Sequence, residues 1–345
     1  MSANKVHWVT QMAGRGAQAP AWLGLSIAIA YLLLRCAFDG LFLASWGFPD
    51  GFQPLWRSDI WWAELVNAAL LGYIPAVLVI ARHGINNDLR QLKPWLPGGD
   101  AEATDIKAMA TRPAQIAGWA FMLSGVVGGF ALVYIDPSFS LHSEQSLTNP
   151  VFLWPLLRTP LFTWLICLLI VADLQATRSY YHMGRKLIKI DLLDLQGLTA
   201  FARRGLRSAL IWVVFSMIFS LFWVGDDTAS RQNLALLIIL LSMAIGAFVT
   251  PLLGVHNNIL SVKRAELARL LEEIRNEANS ALPGEEHTSP RLANLIAYYQ
   301  FVDNAREWPI DVINLLRFFV YLLIGLGSWL GGAVVERMLD LTLAA

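Results

Sequence analysis

AWLGLSIAIAYLLLRCAFDGLFLA, residues 21–44, contains one basic and one acidic side chain, Arg35 and Asp39, in an otherwise apolar run. As a helix rising ~1.5 Å per residue it is long enough to cross a hydrocarbon core of ~30 Å. Lipid offers the backbone no hydrogen bonds, so a helix, which satisfies its own amides, is the form such a run takes. Comparable runs recur at 151–172, 234–249 with its flanks, and 312–335. The pattern predicts an all-α, polytopic membrane helix bundle.

Composition agrees. Hydrophobic residues make up 56% of the chain and charged residues only 15%, with a mean hydropathy of +0.50. Soluble domains carry about 25% charged residues, and the deficit is what lipid-facing helices produce. The net charge is zero, which argues against a nucleic-acid partner. Cys36 and Cys167 both lie in apolar runs, so neither a disulfide framework nor a zinc cluster is expected. The apolar run after Lys5 and Arg15 is too long for a signal-peptide core, and a retained first helix is expected.

The hydropathy pattern predicts seven transmembrane helices near 21–45, 59–81, 113–135, 151–173, 207–224, 233–253 and 310–335. Twenty Lys and Arg residues fall before the first span and in the 82–112, 174–207 and 255–308 segments, against Arg57, Arg231 and Arg337 on the other side. That bias places the amino terminus in the cytoplasm and the carboxyl terminus outside, in a plasma membrane of the bacterial inner-membrane type. Tryptophans follow the same depths: Trp46, Trp56, Trp61, Trp62, Trp154 and Trp223 near the outer boundary, Trp22, Trp119, Trp212 and Trp308 near the inner one. Three regions result: a bundle over 1–253, a cytoplasmic helical hairpin over 254–308, and a final span with a short outer tail over 309–345.

Charges inside spans are costly and commonly mark a polar cavity or an ion-pair network. Arg35 and Asp39 stand one helical turn apart on one face. Glu64 and Asn67 in the second span and Arg158 in the fourth fall at the same depth, roughly 7–15 Å beneath the outer boundary. Two basic and two acidic groups at one level are predicted to pair, Arg35 with Asp39, Glu64 or both. A second, inner cluster is expected from Asp173, Asp311, Asn314 and Arg317.

Beyond Gly254, Leu260, Leu267, Leu271 and Ile274 recur at helical spacing among charged residues, and Tyr299 belongs to a second apolar stripe that starts at Ser289 and Pro290. These residues form the expected surface for a cytoplasmic protein or a second copy of the chain. Arg178, Arg185, Lys186, Lys189, Arg203 and Arg204 beside the fourth and fifth spans are expected to meet anionic headgroups of the bilayer, worth ~1 kcal/mol each. Gly125/Gly129 and Gly327/Gly331 have the spacing that lets membrane helices approach closely.

Catalytic signatures are thin. The six histidines lie outside the span cores, the adjacent trio His142, Ser143 and Glu144 points in different directions, and neither a two-histidine metal motif nor a phosphate-binding glycine loop is present. No cofactor is expected. The reading is a non-enzymatic scaffold, sensor or regulatory subunit coupling an outward polar cavity to a cytoplasmic partner surface; a channel or carrier using the Arg35/Asp39/Glu64/Arg158 layer is the alternative, and an enzyme ranks third. Reporter fusions placed after Ala345 and within 284–288 should report opposite sides of the membrane; the same side for both removes the seven-span topology.

Overall fold

The computed structural model describes residues 19–46, 61–111, 116–135, 150–188, 190–223, 231–280 and 290–343, and among them there is no strand. Nine α-helices carry most of these residues: α1 (Ala19–Trp46), α2 (Trp61–Leu92), α3 (Gly99–Thr111), α4 (Ile116–Ile135), α5 (Pro150–His182), α6 (Thr199–Ser220), α7 (Arg231–Ser280), α8 (Pro290–Asp303) and α9 (Val312–Leu343). Proline opens α5 and α8, where its missing amide leaves no intrahelical bond unmade. Gly99 opens α3 with φ +55°, a conformation that a side chain would strain.

Among the described residues, four helical stretches are long and apolar enough to cross a membrane: Ala19–Gly40, Trp61–Trp95, Leu153–Leu187 and Ala235–Asn279. Gly118–Tyr134 and Val312–Gly327 are apolar but shorter. Each of the seven runs singled out by hydropathy falls largely on one helix, yet the helices outrun them. α2 continues to Leu92, α5 to His182, and α6 starts at Thr199 rather than at 207. The 82–112 segment is therefore mostly helical.

α6 sits at the centre, packed against α2, α7 and α9, while α1 packs on α2, α4 on α5 and α8 on α7. Its interior position explains its weaker apolar signal, because neighbouring helices rather than lipid surround it: Ser208, Ser216 and Arg204 are buried on it beside Phe201, Trp212 and Phe215.

Two hydrophobic cores stack along the bundle. The first joins Tyr31 of α1, Leu70, Ile74 and Val77 of α2, Leu165 and Leu169 of α5, Phe215 of α6 and Ala244 of α7. The second gathers the continuations of the same helices, with Ile85, Leu89 and Leu92 of α2, Tyr180 and Met183 of α5, Phe201 of α6, and Leu252, Val255 and Ile259 of α7, closed by Ile106 of α3 and Val302 of α8.

α7 runs through the expected division without a break. It is a single helix of 50 residues, with Pro251 and Gly254 inside it, so the division at 253/254 falls within an unbroken element. Gly254 is a close approach: a Cβ there would stand 2.4 Å from the Tyr181 carbonyl oxygen. Next to it the Asn258 side-chain amide donates to the carbonyls of Gly184 (2.9 Å) and Ile188 (3.1 Å), in the π-helical turn that follows α5 and just after it.

The segment after α8 is tied back to α7. His256 Nδ1 lies 2.9 Å from the Glu307 carbonyl, which can only accept, and its ring stacks on Trp308 at 4.0 Å. Lys263 donates to the Ala305 carbonyl (3.3 Å) and to Glu307 Oε1 (3.1 Å). α7 and α8 thus form a pinned pair; the turn at 283–289 lies outside the described residues.

Gly125 and Gly129 let α4 close on α5, where added Cβ atoms would meet Cys167, Thr163 and Pro160, whereas Gly128 and Gly327 face open space. Gly254→Ala should overpack the α7–α5 contact and cost ~1–3 kcal/mol, read as a lower melting temperature in detergent, while Gly128→Ala should leave melting unchanged.

Candidate functional site

The polar side chains assemble in two layers, one at each end of the paired helices α2 and α5. In the first layer α1 presents Tyr31, Arg35 and Asp39, spaced one turn apart on one face. Arg35 Nη2 stands 3.3 Å from Asp39 Oδ1, with the two side chains 5% and 0% exposed. Glu64, in the first turn of α2 where a negative charge suits the helix amides, receives Arg158 Nη1 of α5 at 2.8 Å and the Tyr31 hydroxyl on its other oxygen.

The two pairs meet at Trp154. The Arg35 guanidinium lies over its ring, 5.2 Å from the centroid, and Tyr31 and Phe38 flank the same ring at 5.4 Å each. A cation against an aromatic face is stabilised by ~1–2 kcal/mol when desolvated. Arg35 pairs with Asp39 while Glu64 takes Arg158, so the four groups form two neutral pairs. Asn67 is buried beside them but donates to the Ala63 carbonyl of its own helix at 2.9 Å.

The second layer lies where the two cores meet. Asp173 of α5 accepts three hydrogen bonds from one face of α6: Arg204 Nη2 at 2.9 Å and Ser208 Oγ at 2.6 Å on Oδ1, and Trp212 Nε1 at 2.9 Å on Oδ2. Arg207, on the adjoining face, crosses Gly84 of α2 to reach both oxygens of Asp88 at 3.3 and 3.2 Å, and the Tyr180 hydroxyl of α5 donates to the same carboxylate at 3.0 Å. A Cβ on Gly84 would overlap the Arg207 guanidinium, 1.5 Å from Nη1, so only glycine leaves room for this crossing. The Arg204 guanidinium faces the Tyr180 ring at 5.7 Å. Asp88 and Asp173 are each neutralised by one arginine, and α2, α5 and α6 are joined in a closed triangle.

This layer departs from the expected inner cluster. Asp173 is held by α6, whereas α9, which bears Asn314 and Arg317 and is preceded by Asp311, packs on α6 rather than beside Asp173. Asp311 stands 3.7 Å from Arg306, Asn314 is buried, and Arg317 is exposed.

Arg204 also leaves the expected set of lipid contacts. It is 1% exposed, because its charge is spent on Asp173 inside the bundle. Arg178, Arg185 and Lys186 are exposed, Arg203 is exposed and donates to Gln91, and Lys189 lies outside the described residues. The tryptophans divide similarly: Trp22, Trp61, Trp119 and Trp308 are exposed, but Trp154 and Trp212 are buried as polar-layer partners instead of boundary markers.

Of the proposed partner surface, Leu267 and Tyr299 pack against the second core, Leu260 and Ile274 are half-buried, and Leu271 is 41% exposed. Tyr31, Trp154, Asp88, Tyr180, Arg207, Ser208 and Trp212 were absent from the sequence-derived site. For α6 the available signal was the spacing Arg204, Ser208, Trp212, which puts three donors on one helical face. The His142–Glu144 trio lies outside the described residues, and among the described residues no trio of His, Cys, Asp and Glu is placed to hold a metal.

No protein-family model, curated protein or solved structure matches the chain. Among the described residues the fold is all-α, with four helices long and apolar enough for a membrane.

Removing one partner of a buried ion pair strands the other charge and costs ~3–5 kcal/mol. Asp173→Ala should therefore lower the detergent melting temperature strongly, while Asp100→Ala, which breaks an exposed pair with Lys93, should stay within about 0.5 kcal/mol of the parent.

Proposed function

We propose that the chain is a seven-span protein of a bacterial inner membrane, a non-enzymatic scaffold, sensor or regulatory subunit that couples an outward-facing polar layer to a partner surface in the cytoplasm. The observation that carries this reading is α7, one unbroken helix over Arg231–Ser280. At ~1.5 Å per residue it is ~75 Å long, more than twice a hydrocarbon core. Its first part is apolar and its second part, with α8, encloses the core closed by Leu270 and Val302. A single rigid element thus serves both the membrane portion and the hairpin.

In this reading the spans lie on α1, α2, α4, α5, α6, the first half of α7 and α9. The Arg35/Asp39/Glu64/Arg158 layer faces outward and the Asp88/Asp173 layer lies at the cytoplasmic boundary, as the distribution of Lys and Arg along the chain suggests. The mutual pairing of the outer charges favours a regulatory role over transport, because a carrier site needs charges free to take a solute. The docking surface is the outer side of the hairpin, where Leu271, Ile296 and Phe301 are exposed, with a cytoplasmic protein or a second copy of the chain as its partner.

Leu271→Glu should release a co-purifying protein or dissociate an oligomer in mild detergent, while Glu64→Gln should leave that association in place. A monomer without a partner, together with an ion leak in reconstituted vesicles that disappears in Glu64→Gln, would replace this reading with the channel or carrier.

A further inference from the structure

α2 and α5 run parallel and are bonded to each other at two widely separated points. Near their starts Arg158 donates to Glu64, and near their ends Tyr180 donates to Asp88. In each rung the carboxylate belongs to α2 and the donor to α5. From Glu64 to Asp88 is 24 residues and from Arg158 to Tyr180 is 22, or ~36 and ~33 Å of helix. The two spacings match, so both bonds report one quantity, the axial position of α5 along α2.

Two further features join the rungs. Between them, Leu70 and Ile74 of α2 are fully buried and Leu169 of α5 nearly so, packed in one core that resists local deformation. At the Asp88 end, α6 is clamped to both helices, to α5 through Asp173 and to α2 through Arg207, so an axial shift of α5 would disturb both the Asp88 and Asp173 contacts.

We propose that α2 and α5 form a two-rung coupling device. Disturbing the Glu64 rung, by a ligand or by substitution, shifts α5 and loosens the Asp88–Tyr180–Arg207 junction on which the second core rests. Loosening the junction disturbs the Glu64 rung in return. Reciprocity follows from linkage, since two contacts that read one displacement bias each other equally. The proposal takes its direction, outside to inside, from the reading above, but the coupling itself needs neither a partner nor a membrane potential.

Hydrogen exchange of the full-length protein in lipid nanodiscs tests it. Substitutions more than ~10 Å apart ordinarily act independently. Here Glu64→Gln should raise exchange over 84–92 and 176–184 by about fivefold or more, the lower end of measured couplings between sites. Asp88→Asn should do the same over 61–70. The swap Glu64→Arg with Arg158→Glu should restore protection at the Asp88 end, and Lys263→Gln, which breaks a pair away from the ladder, should leave both rungs protected. If Glu64→Gln does not fold, Tyr31→Phe, which deletes one hydroxyl bond to Glu64, makes the same test at smaller amplitude.

Exchange confined to the turns around the substitution overturns the coupling, and so does a uniform rise across all helices. Local exchange combined with partner release by Leu271→Glu would leave the docking reading standing alone. Coupled exchange with no effect of Leu271→Glu would leave the device without that partner.

Discussion

A buried carboxylate has to be met by donors from the elements around it, and Asp173 is met three times by one face of α6. Those bonds determine how far α6 can slide or turn against α5, because a register shift of one residue would carry Arg204, Ser208 and Trp212 off the carboxylate together. With α6 so placed, Arg207 reaches Asp88 across the gap left by Gly84, and the central helix presents Phe215 to one core and Phe201 to the other. The arrangement of α2, α5, α6 and α7 follows from that anchorage.

Both polar layers follow one electrostatic rule. Each buried carboxylate is given a single arginine, and an aromatic ring fills the remaining space: Trp154 at Arg35 and Tyr180 at Arg204. Desolvating an ion pair costs several kcal/mol per ion, so such pairs contribute more to the choice of one register than to net stability. Apolar packing between the layers supplies cohesion but little direction, since leucine and isoleucine faces tolerate sliding. The charged layers supply the direction.

Much of this was legible in the residues. Hydropathy located each long helix because it detects long apolar runs, and depth arithmetic brought Arg35, Asp39, Glu64 and Arg158 to one level. It could not locate the helix ends, because α2, α5 and α7 continue as protein-packed helices whose outer faces are polar. Trp154 and Trp212 were read as boundary residues, and both are buried beside charged partners. The same indole that suits a headgroup zone also suits a buried acceptor, and only a neighbour decides between them. Arg204 and Arg207 were read as flanking positive charge for a similar reason, since basic residues just beyond an apolar run are usually solvated. Their carboxylate partners stand 31 and 119 residues away in the chain, a pairing that local pattern does not reveal.

The contact at Gly254 gives α7 a mechanical character. There the long helix touches the Tyr181 backbone with no side chain between, and Asn258 one turn on is bonded to the turn that follows α5. Such a contact works as a fulcrum. The arm beyond it, from Gly254 to Ser280, is ~39 Å long, so a tilt of about 5° in the apolar half swings the tip by ~3 Å. A rocking motion of that size would therefore move the far end of the hairpin by nearly the length of a hydrogen bond.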